Sequence, residues 1–464
     1  MRRISQEVND LVNRSMDRHL KLAVTGLSRA GKTAYITSLV NQLLYTSTHD
    51  NLPLFSGASE KRLIGAKREP QTNLLVPRFG YDAAVESLYS TPPQWPEPTK
   101  DVSEIRLAIR YKPQSGALKL LSKTATLYLD IVDYPGEWLL DLPLLELDFE
   151  QWSELQFQAL KGTRAELAKP WLTSLAEFDA NAEADESQLA KVSALYTQFL
   201  YDCKSAGLHW VQPGRFVLPG ELEGAPVLQF FPYQIADDTD KSAKHSQYAM
   251  LKARYQEYQT KVVKRFYKEH FSTFDRQIVL VDCLQPLNAG HESFNDMQGA
   301  IEQLLKSFKY GRSNVFSRLF SAKIDKVLFA ATKADHVTPD QHANLTSLLK
   351  QMVHPAWQHT AYENIEMTCM TLASIKATQA GFVTNKSRST EESTQPAIQG
   401  VMENDQPITL YPGDVPAKLP SVDYWQHNEF EFYSFKPLEQ ETNTPCGHIR
   451  MDKALQFLIG DKLK

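Results

Sequence analysis

Cysteine is scarce in this chain: Cys203, Cys283, Cys369 and Cys446 are the four among 464 residues. They lie far apart and form no C-x-x-C pair, which argues against a disulfide-stapled scaffold and against a metal site built on such pairs. Reduced thiols that serve as packing residues are expected. Long apolar runs are lacking as well. No segment approaches the roughly 20 residues that a membrane-crossing helix needs, and the N-terminus has no apolar stretch of the secretory type. An excess of positive charge is also missing. Lysine and arginine number 50 against 55 acidic residues, a net charge of −5, so no global basic field points to nucleic acid or to an anionic membrane. No nucleic-acid partner is expected and a cytoplasmic location is; a peripheral route to membranes through a partner stays open. With 42% hydrophobic and 23% charged residues, the chain can build an ample core. Its length suits about three domains, or one domain with large insertions.

The informative stretch is Gly26-Leu27-Ser28-Arg29-Ala30-Gly31-Lys32-Thr33. It follows an apolar run at residues 20–25 and opens into a helical pattern at 34–44. G-x-x-x-x-G-K-T thus sits between strand and helix, the context that marks a phosphate-binding loop. Glycine lets backbone N–H groups curl around an anion, and the helix N-terminus adds positive potential. Gly26, Ser28, Arg29, Ala30, Gly31, Lys32, Thr33 and Ala34 are therefore expected to cradle the phosphates. Lys32 should reach the β- and γ-phosphates, and the Thr33 hydroxyl should ligate Mg²⁺.

Elsewhere, Ile4, Val8, Leu11 and Val12 have helical spacing and predict a helix within residues 4–18. Residues 46–102 are punctuated by proline and glycine, with Leu74-Leu75-Val76 as the only apolar core run. A loop of this length beside a nucleotide site is where an effector segment sits. Residues 103–111 alternate strictly and predict a half-buried strand; 123–132 predict a second. The second ends in Asp133-Tyr134-Pro135-Gly136, a D-x-x-G at the carboxyl end of a buried strand, where open α/β sheets bind ligands. Asp133 should hold the metal, directly or through water, and the Gly136 N–H should face the γ-phosphate. From 137 to 275 the period is helical, with helices expected over 137–178, 185–206 and 247–271. Short apolar pieces at 214–220 and 226–232 suit a small hairpin or extended segments. The 247–271 helix is basic with Tyr255, Tyr258 and Phe266 interleaved, read as a solvated face over an aromatic core stripe. Strands then recur at 277–283, 326–331 and 364–372, with helices at 294–308 and 340–353. Thr332-Lys333-Ala334-Asp335 follows the second of these strands and Ala373-Ser374-Ile375-Lys376 the third. Residues 382–406 are polar and read as a flexible loop; 448–464 read as a closing helix. Strands alternating with helices imply a parallel sheet wound on both faces.

The ordered set GLSRAGKT, DYPG, TKAD and SIK resembles the GTPase motif series of Ras-type and translation-factor P-loop proteins. Over nearly its full length the chain resembles the YcjX-like family, bacterial stress-associated P-loop NTPases with GTPase-type motifs. The resemblance implies an α/β P-loop NTPase fold of the Ras-like GTPase kind, doubly wound, with a large mainly helical insertion between the D-x-x-G and TKAD motifs. Residues 1–136 and 276–464 would form the GTPase domain and 137–275 the insertion. GTP or GDP and Mg²⁺ are the implied ligands, with a link to stress and a protein effector or activator docking on the switch loops or the insertion. Thr332, Lys333, Asp335, Ser374, Ile375 and Lys376 would surround the base. An aspartate there accepts from the ring N–H and the exocyclic amine of guanine, a donor pair that adenine lacks. A hydrogen bond to a charged group is worth roughly 1.5–3 kcal/mol, so Asp335 is the expected guanine reader, with Lys333 packed over the base.

The chain departs from the series at three places. Thr332 replaces the asparagine of N-K-x-D, Ile375 replaces the alanine of S-A-K, and Glu137 stands where Ras-type proteins place a water-orienting glutamine. A carboxylate near the γ-phosphate could act as a base or could repel, so hydrolysis is expected to be slow or partner-dependent. Lys32, Gly136, Glu137 and Arg29 are the catalytic candidates. Arg29 could fold over the phosphates as an arginine finger in cis, but solvent is its expected direction. Thr99 is the chosen effector-loop metal ligand beside Thr33 and Asp133, with Thr91 and Thr72 as rivals. Three function classes follow: a GTPase switch; an ATP-using motor or kinase, against which Asp335 argues; and a nucleotide-stabilised scaffold with vestigial hydrolysis, which Glu137 keeps open.

Overall fold

A computed structural model describes residues 18–27, 29–98, 101–114, 123–235, 239–241, 243–307, 324–360, 365–385, 393–428 and 430–464. Its main sheet contains β1 (Arg18–Gly26), β2 (Leu63–Glu69), β3 (Ser103–Tyr111), β4 (Ala125–Asp133), β5 (Arg276–Val281), β6 (Lys326–Ala331) and β7 (Glu366–Thr371). The strand order is β2-β3-β4-β1-β5-β6-β7. β4, β1, β5, β6 and β7 run parallel, and β3 and β2 add antiparallel on one side. The fold is mixed α/β with a mostly parallel central sheet. From β1 the chain passes to one side of the sheet and later returns on the other, at β5. This makes β1 a topological switch point, and open α/β sheets take ligands at such points, beyond the carboxyl ends of the strands.

The alternation of β1 explains the first core. Leu20, Leu22 and Val24 share one face of the strand. They pack with Ile105, Leu107 and Ile109 of β3 and with Leu127, Leu129 and Ile131 of β4. The helix Lys32–Tyr45 lays Tyr35, Ile36, Leu39, Val40 and Leu43 on the same core, a stripe of helical period, and the helix Met451–Ile459 adds Leu455, Leu458 and Ile459. β3 is more deeply buried than its polar alternation suggests. Glu104 and Arg106 are 2% and 8% exposed. The Arg106 guanidinium pairs with Asp130 at 3.2 Å and lies 5.0 Å over the Tyr128 ring, which makes burial of the charge tolerable.

Two loop readings are corrected. Leu74 and Leu75 are not core: they are 87% and 94% exposed, and only Val76 turns inward. Polar ties shape this turn, since the Asn73 side chain accepts from the Leu75 N–H at 3.1 Å and the Gln71 amide donates to the Asn73 carbonyl at 2.8 Å. Residues 382–406 are not simply a flexible loop. They contribute to a three-stranded antiparallel sheet of β8 (Thr378–Asn385), β9 (Ser393–Val401) and β10 (Pro407–Leu410). Its small core joins Ala377, Ile398 and Leu410 to Phe435. The ring in this core comes from further along the chain, a partner that the strands' own sequence does not reveal. The helix expected within residues 4–18 falls outside the described residues, except that Arg18 begins β1.

Contacts divide the chain into one unit of Met1–Tyr134, Phe274–Asn288 and Lys323–Lys464, and a second of Pro135–Thr273 and Ala289–Ala322. The sequence boundaries grouped 276–464 together; the contacts instead assign the helix His291–Ser307 to the second unit. Polar bonds within that unit accompany the assignment. Asp296 accepts from Arg164 at 2.7 Å and from the Trp210 N–H at 2.9 Å, and Glu292 accepts from the Thr163 N–H and hydroxyl. The rest of this unit is built of helices and turns, among them Phe149–Gln158, Lys169–Ala176, Glu186–Ser205 and Gln247–Glu257. Rings fill its centre: Trp152 stacks on Tyr255 at 5.2 Å, and Trp171 on Phe199 at 5.7 Å. Tyr255, Tyr258 and Phe266 are buried, as the core-stripe reading expected. The apolar pieces at 214–220 and 226–232 form helical turns, Gly214–Val217 and Pro226–Leu228, not a hairpin. Asp141 accepts the Gly214 N–H at 2.8 Å, capping that turn from a distant segment.

Candidate functional site

Nothing larger than glycine fits at the end of β1. A Cβ on Gly26 would lie 2.6 Å from the Leu280 carbonyl oxygen of neighbouring β5. The loop then closes with the Ala30 N–H donating to the Leu27 carbonyl at 3.2 Å. Gly31, at φ 83°, occupies the left-handed region and precedes the helix Lys32–Tyr45. No side chain caps that helix and its first turn holds no acid, so its leading N–H groups suit an anion. The Lys32 ammonium folds back over the loop, 3.4 Å from the Gly26 carbonyl. Ala30 is buried, Lys32, Thr33 and Ala34 are half-buried, and Arg29 is exposed with φ 61°. Ser28 lies outside the described residues.

Asp133 ends β4 in register with Val24 of β1 and is 1% exposed. It therefore reaches the carboxyl edge of the sheet beside the phosphate loop. Gly136 and Glu137 open the 3-10 helix Gly136–Glu146 of the second unit. Glu137 is 4% exposed and its Oε1 accepts from the Lys204 ammonium at 2.7 Å. Thr99 lies outside the described residues; its rivals Thr91 and Thr72 are both exposed.

The base-recognition candidates meet at the ends of β6 and β7. Thr332 bonds back to β5, its N–H donating to the Val281 carbonyl at 2.9 Å and its hydroxyl reaching the same oxygen at 3.4 Å. Lys333 takes φ 58°. Asp335 is 6% exposed, and one carboxylate oxygen accepts from the Ala377 N–H at 2.6 Å and the Thr378 N–H at 3.2 Å. It thereby ties the TKAD turn to the end of the Ser374-Ile375-Lys376 loop. The Ser38 hydroxyl, on the phosphate-loop helix, donates to the Ser374 carbonyl at 2.6 Å. Ile375 fills an apolar cluster with Leu88 and Cys446, against which Ala34 and Tyr89 pack. The larger side chain at this position therefore has a packing role.

Sequence reading missed Asp282. It follows β5 at the same edge and is 3% exposed. Its Oδ2 lies 2.6 Å from the Lys333 ammonium, and its Oδ1 accepts from the Leu284 and Gln285 N–H groups. Burial would raise its pKa, but the adjacent Lys333 charge and the N–H donors hold it below the usual carboxylate range. The available signal was positional: an aspartate directly after a buried strand, as in TKAD. Lys204 and Ser38 had no such signal, since their partners lie 67 and 336 residues away. Among the described residues no cluster of histidine, cysteine and carboxylates could hold a metal, and no helix is long and apolar enough to cross a membrane.

The chain is similar to two proteins named Ras-like GTPase YcjX. It is 52% identical over 470 residues to that of Escherichia coli (strain K12), with both chains fully covered. It is 44% identical over 483 residues to that of Shewanella oneidensis (strain ATCC 700550 / JCM 31522 / CIP 106686 / LMG 19005 / NCIMB 14063 / MR-1), covering 100% of this chain and 99% of the relative. The family described as "YcjX-like family, DUF463" matches residues 20–463. On that extent of match, joined to the four motifs in their order, the chain belongs to the YcjX-like family.

Proposed function

We propose that this protein is a guanine-nucleotide-binding P-loop GTPase, a slow Mg²⁺-dependent switch in which a helical insertion between D-x-x-G and TKAD reads out the nucleotide state. One observation carries the proposal. The phosphate loop, Asp133, the TKAD turn and the SIK loop all lie at the carboxyl ends of β1, β4, β6 and β7, around the switch point of the sheet. The names of the two relatives support it. Lys32 and the helix N-terminus would neutralise the phosphates. Thr33 and Asp133 offer the hard oxygen donors that suit Mg²⁺, which when bound offsets charge on the β- and γ-phosphates. Asp335 would accept from guanine and Lys333 would cover the base. Effector binding, the link to stress and a cytoplasmic location belong to the same proposal.

A second reading is favoured by the Glu137–Lys204 pair. A buried carboxylate paired with its own cation is poorly set to orient water, so hydrolysis could be vestigial and the protein a nucleotide-stabilised scaffold. Titration with GTP and ATP, followed by multiple-turnover phosphate release, tests both. GTP preference with slow turnover supports the switch, and GTP binding without turnover the scaffold. Equal competition by ATP would overturn the guanine assignment and point to an ATP-using enzyme.

A further inference from the structure

One stretch near the C-terminus, residues 435–449, touches several elements of the proposed nucleotide site. Both backbone polar groups of Lys376 are bonded to it: the Lys376 N–H donates to the Gly447 carbonyl at 2.9 Å, and the Leu438 N–H donates to the Lys376 carbonyl at 3.0 Å. The Ile449 N–H donates to the Ala373 carbonyl at 2.8 Å, and the Ala373 N–H returns the bond at 3.2 Å. The base loop is therefore held along its length by a segment that sequence reading did not connect to it. The same segment grips the phosphate-loop helix, where the Cys446 N–H donates to Asn41 at 2.9 Å and its carbonyl accepts from Gln42 at 2.6 Å.

Two side chains of residues 89–98, just before β3, are tied to this strap. The Trp95 indole N–H donates to the Phe435 carbonyl at 2.7 Å, and the Tyr89 hydroxyl donates to the Thr444 carbonyl at 2.6 Å. Phe435 is 1% exposed and its ring meets His336, the residue after Asp335, edge-on at 5.1 Å. Each attachment is a side-chain bond to a fixed backbone carbonyl, so it can be released without unpairing any strand. Residues 89–98 belong to the stretch that the proposed switch would reshape.

We infer that Trp95 and Tyr89 are positioning residues for the base loop: through the 435–449 strap they couple the segment before β3 to the grip on the base, and thereby set the rate of nucleotide release. The inference rests on the guanine-nucleotide reading. Coupling of this kind is reciprocal, so whatever nucleotide does to the segment, the segment does to nucleotide affinity.

The test uses the full chain with Trp95→Phe, Tyr89→Phe and the double variant, which remove the donors and keep an aromatic ring at each position. The probes are N-methylanthraniloyl-GDP, whose release is followed by fluorescence, and inorganic tripolyphosphate, which has no base. Each lost hydrogen bond should speed nucleotide release about fivefold, from a net worth of about 1 kcal/mol, while tripolyphosphate affinity stays at the wild-type value. Trp425→Phe, which removes an indole bond to the Leu287 carbonyl elsewhere in the unit, should change neither. Unchanged release from the double variant overturns the inference and leaves the nucleotide reading standing. A parallel fall in tripolyphosphate affinity also overturns it, because a loss of general stability would move both probes. Failure of the wild type to bind the GDP probe overturns the underlying reading, and is seen before any variant is made.

Discussion

The Lys333 ammonium and the Asp282 carboxylate form an ion pair of 2.6 Å between the ends of adjacent parallel strands β5 and β6. The carboxylate is buried and the lysine side chain is 31% exposed. The pair fixes the direction of a side chain proposed to lie over the base. Asp282→Asn keeps an acceptor for the Leu284 and Gln285 N–H groups and removes the charge. GDP affinity should fall about tenfold, or roughly 1.4 kcal/mol, in a fluorescence titration. Wild-type affinity in a folded variant would show that Lys333 is oriented by other contacts.

Lys32→Ala and Thr33→Ala should each nearly abolish triphosphate binding. Neither side chain is buried in the core, so circular dichroism should show an intact fold. Retained affinity in these variants would refute the phosphate-loop assignment.

Asp335→Asn should weaken GTP and improve xanthosine triphosphate, whose 2-keto oxygen then meets an amide donor. The same change weakens the acceptor for the Ala377 and Thr378 N–H groups. A stability loss of about 1–2 kcal/mol should accompany the specificity change. Loss of stability without any gain for xanthosine triphosphate would make Asp335 a loop anchor only.

Intrinsic hydrolysis should be slow, on the order of 10⁻³–10⁻² s⁻¹, between a switch GTPase without an arginine finger and one that carries it in cis. Arg29 is exposed, and Arg29→Ala should leave single-turnover hydrolysis near wild type. A fast wild type that collapses in this variant would make Arg29 a finger in cis. Glu137→Gln exchanges the ion pair with Lys204 for an amide; faster hydrolysis would show that the carboxylate restrains the reaction.

Asp141 sets a pH dependence for the second unit. Burial, the largest influence, raises its carboxyl from 3.8 to about 7, although the Tyr258 hydroxyl and the Gly214 and Arg215 N–H groups favour the charged form. Its folded pKa exceeds the unfolded one, so its contribution is complete below about pH 4 and is lost as pH rises through about 7. Each pKa unit corresponds to about 1.4 kcal/mol. Asp141→Asn should flatten this part of the stability profile and gain relative to wild type at pH 8. Parallel melting profiles from pH 4 to 8 would exclude the effect.

Much of the candidate site's local structure was legible because its signals are local. A buried apolar run, a left-handed glycine and an uncapped helix start are decided by backbone sterics within a dozen residues, and β1, the phosphate loop and the Lys32–Tyr45 helix follow from them. D-x-x-G and TKAD were equally readable as polar residues closing apolar strands. The tertiary structure decided what depends on partners distant in sequence. Leu74 and Leu75 were apolar enough for a core, yet a polar turn presents them to solvent. β9 looked like loop, yet Phe435 packs against its Ile398. Glu137 is held by Lys204, Lys333 by Asp282, and the base loop by residues 435–449, with Trp95 and Phe435 separated by 340 positions. Hydrophobic period and turn chemistry are written into neighbouring residues. A salt bridge or a strap is specified only when the sheet order brings its two halves together.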